Sequence, residues 1–195
     1  MDETGPQVIV IAGPNGASKT TLAPFLLRDK LGLLVYVNAD PIAHGLSGFA
    51  PGGVAIEAGR VMLRRLNDLA AGRRNFAFET TLAARSYCRW IDGLRDAGYS
   101  FQLMFVWLRS ADLAVERVRE RVRSGGHFVP EEVIRRRYAG GLRNFWRLYQ
   151  PLADAWSVYD NSASPETLPI ASGGKRARFA VRDEDSWKNF LTTKS

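Results

Sequence analysis

Short apolar runs alternate with longer mixed segments along the chain. Gln7–Ala12 reads QVIVIA, apolar at consecutive positions, as in a strand buried on both faces. Leu33–Val37, Phe76–Thr80, Phe101–Leu108 and Ala155–Tyr159 repeat the pattern and predict four more strands. A glycine-rich turn over Gly13–Ser18 leads into a helix that starts near Lys19, with Pro24 placed to kink or weaken it. Helical spacing returns over Val54–Ala71, with Ile56, Val61, Leu63, Leu66 and Leu69 apolar and Gly72 as the stop. Ser86–Ala97, Asp112–Arg123 and Pro130–Leu148 are the further predicted helices, the last with proline in its first turn. Pro41–Gly53 is rich in glycine and proline and reads as an irregular loop. Beyond Ser164 the pattern predicts two short strands about Gly173-Gly174 and a helix near Asp183–Leu191. Alternating strands and helices predict an α/β fold with a mainly parallel five-stranded sheet and helices on both faces.

Composition narrows the class. The 195 residues fit one domain, with a core over about 7–162 and a C-terminal extension over 163–195. With 46% hydrophobic and 24% charged residues, the chain has enough apolar surface to exclude disorder as its main state. Cys88 is the one cysteine, which excludes a disulfide framework and a multi-cysteine zinc site. It has no adjacent base and reads as non-catalytic. No apolar run approaches the ~20 residues of a membrane span. The start, Met-Asp-Glu, has no basic segment before an apolar core, so a cytoplasmic protein without a membrane partner is expected.

Chemistry first appears after the first predicted strand. Gly13-Pro14-Asn15-Gly16-Ala17-Ser18-Lys19-Thr20 follows the phosphate-loop pattern G-x-x-x-x-G-K-[ST] between a strand and a helix. Its backbone N–H groups would wrap a phosphate, aided by the helix dipole. Lys19 would bridge the β- and γ-phosphates of ATP or GTP, Thr20 would offer its hydroxyl to Mg²⁺, and Thr21 borders the same site. Ser18 stands where the pattern has glycine. Its Cβ would crowd the phosphate or tilt the backbone, unless the position already lies near helical φ, and the expectation is weakened nucleotide affinity. The competing reading is a strand-to-helix turn without a ligand, which Lys19-Thr20 at the required offset disfavours.

Two acids lie at the carboxyl ends of predicted strands, where ligands bind in such sheets. Asp40 closes the second strand and is the candidate base for an acceptor hydroxyl. The alternative is a turn or cap before Pro41. Glu79 ends the third strand beside Thr80. It would hold acceptor hydroxyls, act on Mg²⁺ through water, or form a structural ion pair with an arginine. Asn161 follows the fifth strand.

The net charge is +7, and its placement matters. Arginine outnumbers lysine 22 to 5, and ten arginines against five acids fall between Arg109 and Arg147. Two basic helical segments flank Ser124-Gly125-Gly126-His127, the arrangement of a closing lid over about 117–137. Arg121 and Arg136 are the candidates for phosphate contact, with His127 as a loop hydrogen-bonding residue. The alternative is surface pairing of the Glu116–Arg119 and Glu120–Arg123 kind. Nucleic acid as a partner is disfavoured, because aromatics do not interleave with the basic residues.

Taken together, GPNGASKTTLA, VNADPIA, FAFETTL, RVRERVRSGGHFVP, IRRRYAGGLRNF and YDNS make the chain resemble the zeta-toxin-like family of P-loop kinases over about residues 8–162. The resemblance implies a P-loop NTPase fold of the nucleotide-kinase kind and ATP or GTP with Mg²⁺. It also implies phosphorylation of a small hydroxyl acceptor, which is UDP-N-acetylglucosamine in characterised zeta toxins, and an antitoxin protein as partner. It places Lys19 and Thr20 in the phosphate and metal roles, Asp40 as catalytic acid and Glu79 at the acceptor. VNADPIA looks like the short stand-alone branch, whose acceptor is open. A nucleoside, nucleotide or antibiotic kinase and a degenerate NTP-binding or nucleic-acid-binding regulator are the competing functions.

Overall fold

The computed structural model describes residues 5–29, 31–48, 51–163 and 169–194. β1 (Gln7–Ala12) lies between β3 and β4 in a seven-stranded sheet of order β2-β3-β1-β4-β5-β6-β7. β2 (Tyr36–Val37), β3 (Phe76–Thr80), β4 (Ser100–Trp107) and β5 (Ala155–Asp160) are parallel to it. β6 (Ala171–Gly173) and β7 (Ala180–Val181) add an antiparallel edge from the C-terminal region. The sheet is therefore two strands wider than the expected five.

The uninterrupted apolar sequence of β1 follows from its position. Val8, Val10 and Ala12 enter one core and Ile9 and Ile11 the other, because successive side chains point to opposite faces. The first core holds Phe76, Phe78, Phe101 and Phe105 under α3 (Ala55–Ala71) and α4 (Ser86–Asp96). The second sits under α1 (Lys19–Ala23), α5 (Ala111–Arg123) and α6 (Glu131–Asn144). After α6 the chain continues through a π-helical turn (Phe145–Tyr149) into α7 (Gln150–Leu152), and Phe145, Trp146 and Tyr149 are buried as core. The tail closes with α8 (Glu184–Leu191), started by an Asp183 side-chain cap. Trp187 of α8 stacks on Trp156 of β5 at 5.9 Å between ring centroids.

The disruption expected at Pro24 is found: α1 ends at Ala23 and the chain widens into a π-helical turn over Pro24–Asp29. Two local expectations are corrected. The second strand shortens from Leu33–Val37 to Tyr36–Val37. Where a loop was expected from Pro41, α2 (Ala39–Leu46) forms instead. Asn38 caps it by accepting a hydrogen bond from the Asp40 N–H at 2.9 Å. Pro41 is the third helical residue, where the missing N–H costs nothing because no intrahelical acceptor exists for it.

Candidate functional site

The loop after β1 turns sharply enough to need glycine twice. A Cβ on Gly13 (φ +143) would run into the Val106 carbonyl, and one on Gly16 (φ +80) would lie 2.9 Å from the Ala114 carbonyl oxygen. Ser18 takes φ 56 and ψ 31, the left-handed conformation that the glycine of the pattern supplies at no steric cost. The helical φ at which serine would fit without strain is therefore not found at this position. The Ser18 side chain makes no cap hydrogen bond, while its carbonyl accepts from Thr21 and Leu22 N–H at 3.1 Å.

Lys19 is 6% exposed. Its ammonium donates to the Pro14 carbonyl at 2.9 Å and lies 3.5 Å from Glu79 Oε1. Burial pushes its pKa below the ordinary lysine value, with the charges of Glu79 and Asp40 opposing. The other Glu79 oxygen accepts three hydrogen bonds. Thr20 Oγ1 and Asn38 Nδ2 each donate at 2.9 Å, and the Tyr36 hydroxyl also donates. Burial, then the Glu79 charge, push the Tyr36 phenol upward. Glu79 is thus paired with a lysine, not with the arginine expected of a structural bridge.

Two cavities meet at these residues. One, of about 500 Å³, is bordered by the loop from Asn15 to Thr21 and by Arg117, Arg121 and Asn161. The other, of about 340 Å³, lies between α2, α3 and the segment after β3, with Met62, Thr80, Tyr87 and Arg137 in its wall. Asn15, Lys19, Asp40 and Glu79 line both. Of the loop residues named from sequence, Asn15, Gly16, Ser18, Lys19, Thr20 and Thr21 face the larger cavity; Gly13, Pro14 and Ala17 lie outside its lining. Asp40 stands in the first turn of α2, not at the end of a strand; Asn38 fills the cap role considered for it.

The arginines divide. Arg117 and Arg121 share a face of α5 and reach the larger cavity. Arg117 donates to the Ser162 carbonyl at 3.1 Å, and Arg121 donates to the His127 carbonyl at 2.7 Å while lying 4.0 Å from an Asp40 oxygen. Arg119 pairs with Glu131 at 2.7 Å, in place of the expected Glu116. Arg135 pairs with Glu131 and Asp112. Arg136 is exposed and lines neither cavity. Its neighbour Arg137 lines the smaller one, where burial, then Arg136, lower its pKa against the pull of Asp40. Tyr36, Asn38 and Arg137 escaped the sequence reading, although Asn-x-Asp before Pro41 is itself a cap signal.

Among the described residues no group of three or more His, Cys, Asp or Glu side chains could hold a metal, and no helix is long and apolar enough to cross a membrane. The strand–glycine-loop–helix unit and the 2-3-1-4-5 order of the parallel strands define a P-loop fold of the kinase kind. The sequence profile of the AAA domain family, AAA_33, matches residues 8–140, and the chain belongs to that family. An uncharacterized protein of Haemophilus influenzae is 26% identical over 132 residues, which cover 68% of this chain and 92% of that protein. The crystal structure of AvrRxo1-ORF1:-ORF2 with ATP aligns with a TM-score of 0.75 at 16% identity, over 100% of this chain and 66% of that one. The chain therefore spans just under two thirds of that structural relative. The PezAT chromosomal toxin–antitoxin system of Streptococcus pneumoniae gives 0.62 at 16% identity, over 83% of this chain and 70% of that one. A gluconokinase from Sinorhizobium meliloti 1021 gives 0.50 at 18% identity, over 84% and 86%. The resemblance to zeta-toxin-like P-loop kinases holds at the level of the fold.

Proposed function

We propose that this chain is a P-loop kinase that transfers the γ-phosphoryl group of ATP or GTP to a hydroxyl of a small acceptor. The observation that carries the reading is the junction of two cavities at Asn15, Lys19, Asp40 and Glu79. A transferase needs this plan: donor and acceptor on opposite sides of one set of charged groups, held in reach of each other. The triphosphate occupies the larger cavity, against the N-terminus of α1 and Lys19. Its negative charge offsets the burial that disfavours the Lys19 ammonium. Arg121 approaches from α5 and stabilises charge on the transferring group.

The acceptor occupies the smaller cavity. Asp40 takes the proton of the attacking hydroxyl, the new O–P bond forms, the bond to the β-phosphate breaks, and a nucleoside diphosphate leaves. Thr80 and Arg137 line the acceptor side, so Arg137 replaces Arg136 as the second arginine of the site. The Thr20 hydroxyl beside a carboxylate is an all-oxygen donor set and fits Mg²⁺. Thr20 would hold the ion, which when bound neutralises phosphate charge. The segment 117–137 acts as a lid hinged at Gly125-Gly126. PezAT is a toxin–antitoxin system, and on that likeness the reading includes an antitoxin partner and a cytoplasmic site of action.

UDP-N-acetylglucosamine heads the acceptor series, followed by nucleosides, nucleotides and antibiotics. The test is transfer from γ-labelled ATP with a mass readout of the product. Lys19→Ala and Asp40→Asn are expected to abolish Mg²⁺-dependent transfer. Unchanged turnover in Asp40→Asn rejects that residue as the base. Salt-sensitive RNA binding that survives Lys19→Ala, without transfer, rejects the kinase.

A further inference from the structure

Among the described residues four arginines are half-buried: Arg95, Arg117, Arg121 and Arg137. Three of them have a partner within the chain. Arg95 pairs with the Asp154 carboxylate at 3.1 Å, Arg117 donates to the Ser162 carbonyl, and Arg121 donates to the His127 carbonyl. Arg137 makes neither an ion pair nor a hydrogen bond among the described residues. It lines the smaller cavity and lies outside the lining of the larger one. Its charge is held there against burial and against Arg136 beside it, while Asp40 attracts it without forming an ion pair.

A guanidinium carries five N–H donors, has no acceptor and stays protonated, so an anion is what completes it. The charges around the smaller cavity say which kind. Apart from two histidines, its charged lining is Lys19 and Arg137 against Asp40 and Glu79. Lys19 and Glu79 lie within 3.5 Å and offset each other. That leaves one free guanidinium, and the Asp40 carboxylate that the reaction needs for the acceptor hydroxyl. A single negative charge balances such a site. A phosphate monoester would bring nearly two, beside Asp40 and a donor triphosphate, where a partly dry cavity strengthens repulsion. The remaining wall is mostly carbon, with Ala43, Ala58, Met62, Ala83 and the Tyr87 ring in it, and suits an uncharged skeleton.

We propose that the acceptor is a hydroxylated carboxylic acid, its carboxylate in the fork of Arg137 and its hydroxyl facing Asp40. The proposal rests on the kinase reading and narrows it. The bonds made and broken are those of the kinase step, and the carboxylate takes no part in them. Its work is orientation. Two parallel N–H···O bonds fix the angle of the acid as well as its charge, so the reacting oxygen is held towards the junction of the cavities. A neutral polyol or nucleoside would leave Arg137 unpaired, and a site with an unpaired buried polar group discriminates strongly against such an analogue.

The experiment is nitrogen-15 NMR of the arginine side chains in the full chain, with Arg137→Lys identifying the Arg137 Nε–H signal by its loss. The larger cavity is first saturated with the non-hydrolysable analogue AMP-PNP and Mg²⁺. Glycerate, ribonate, glycerol and glycerol 3-phosphate are then titrated separately. The two acids are expected to move the Arg137 signal along a saturable curve. Glycerol is expected to bind at least about ten-fold more weakly than glycerate, the worth of a hydrogen bond to a charged group, and glycerol 3-phosphate more weakly than glycerate. A tighter response to glycerol 3-phosphate overturns the choice of a carboxylate. No response to either acid, or a shift completed by AMP-PNP alone, overturns the role of Arg137 towards the acceptor. In each of these cases bound AMP-PNP leaves the kinase reading standing. Failure of AMP-PNP to bind at all overturns the kinase reading and the proposal with it.

Discussion

Ser18→Gly is a substitution whose sign can be worked out from one dihedral pair. Ser18 sits at φ 56, ψ 31, where a Cβ crowds the following carbonyl at a cost of about 1–2 kcal/mol. Its side chain makes no capping bond, so nothing local offsets the cost. Glycine removes the clash but adds freedom to the unfolded chain, which takes back about 0.5–1 kcal/mol. The net gain is about 0.5–1 kcal/mol, or roughly 2 °C in Tm for a chain of this size. Ser18→Ala keeps the Cβ and the conformation and is the control, expected to melt with the wild type. Thermal unfolding followed by circular dichroism measures all three. Because Ser18 also borders the larger cavity, glycine should tighten ATP binding in calorimetry as well. A glycine variant that melts at or below the wild-type temperature refutes the strain argument. An unchanged dissociation constant removes the claim that serine weakens the phosphate loop.

Three further outcomes follow from the site. Arg121→Ala should raise KM for ATP and Arg137→Ala should raise KM for the acceptor, since the two line different cavities; identical changes in both constants would dissolve the division. Tyr36→Phe removes one of three donors on a single Glu79 oxygen and should cost about 1 kcal/mol in urea unfolding, while raising the Mg²⁺ concentration needed for half-maximal turnover. An unshifted Mg²⁺ curve would reduce Tyr36 to a packing residue. Lys19 has its pKa lowered by burial, and a bound triphosphate must raise it again. Nucleotide binding therefore takes up protons at alkaline pH. Affinity is highest below the free-protein pKa of Lys19 and falls as pH rises towards its bound value. Calorimetry in two buffers of different ionisation enthalpy reads this directly, and no proton uptake at any alkaline pH contradicts it.

The sheet was legible because most of its parallel strands are buried on both faces and leave continuous apolar runs, as Val8–Ile11 and Leu103–Trp107 do. The phosphate loop was legible because its chemistry is local: Lys19 and Thr20 follow their glycines at fixed offsets. What escaped depends on distance in sequence. Tyr36 and Asn38 matter only because β2 pairs with β3 and sets them beside Glu79, some forty positions away. Arg137 and Arg136 are adjacent in sequence, and only the angle at which α6 packs decides which one faces the cavity. Pro41 misled in the other direction, since a proline that ends a helix elsewhere is harmless in the first turn of α2. The antiparallel edge was foreshadowed by Gly173-Gly174. Gly174 takes φ +151 against the Asp154 carbonyl, a close approach that no larger residue permits.

The aromatic seam between the main sheet and the last helix bears on how this family should be trimmed for study. The profile match stops at residue 140, inside α6. A fragment cut there would lose β5 and strip the cover from Phe105 and Trp107, which pack on Phe190 of the discarded tail at 5.9 and 5.3 Å. Such a piece would present oily rings to water and clump, and a lack of activity in it would say nothing about the intact chain.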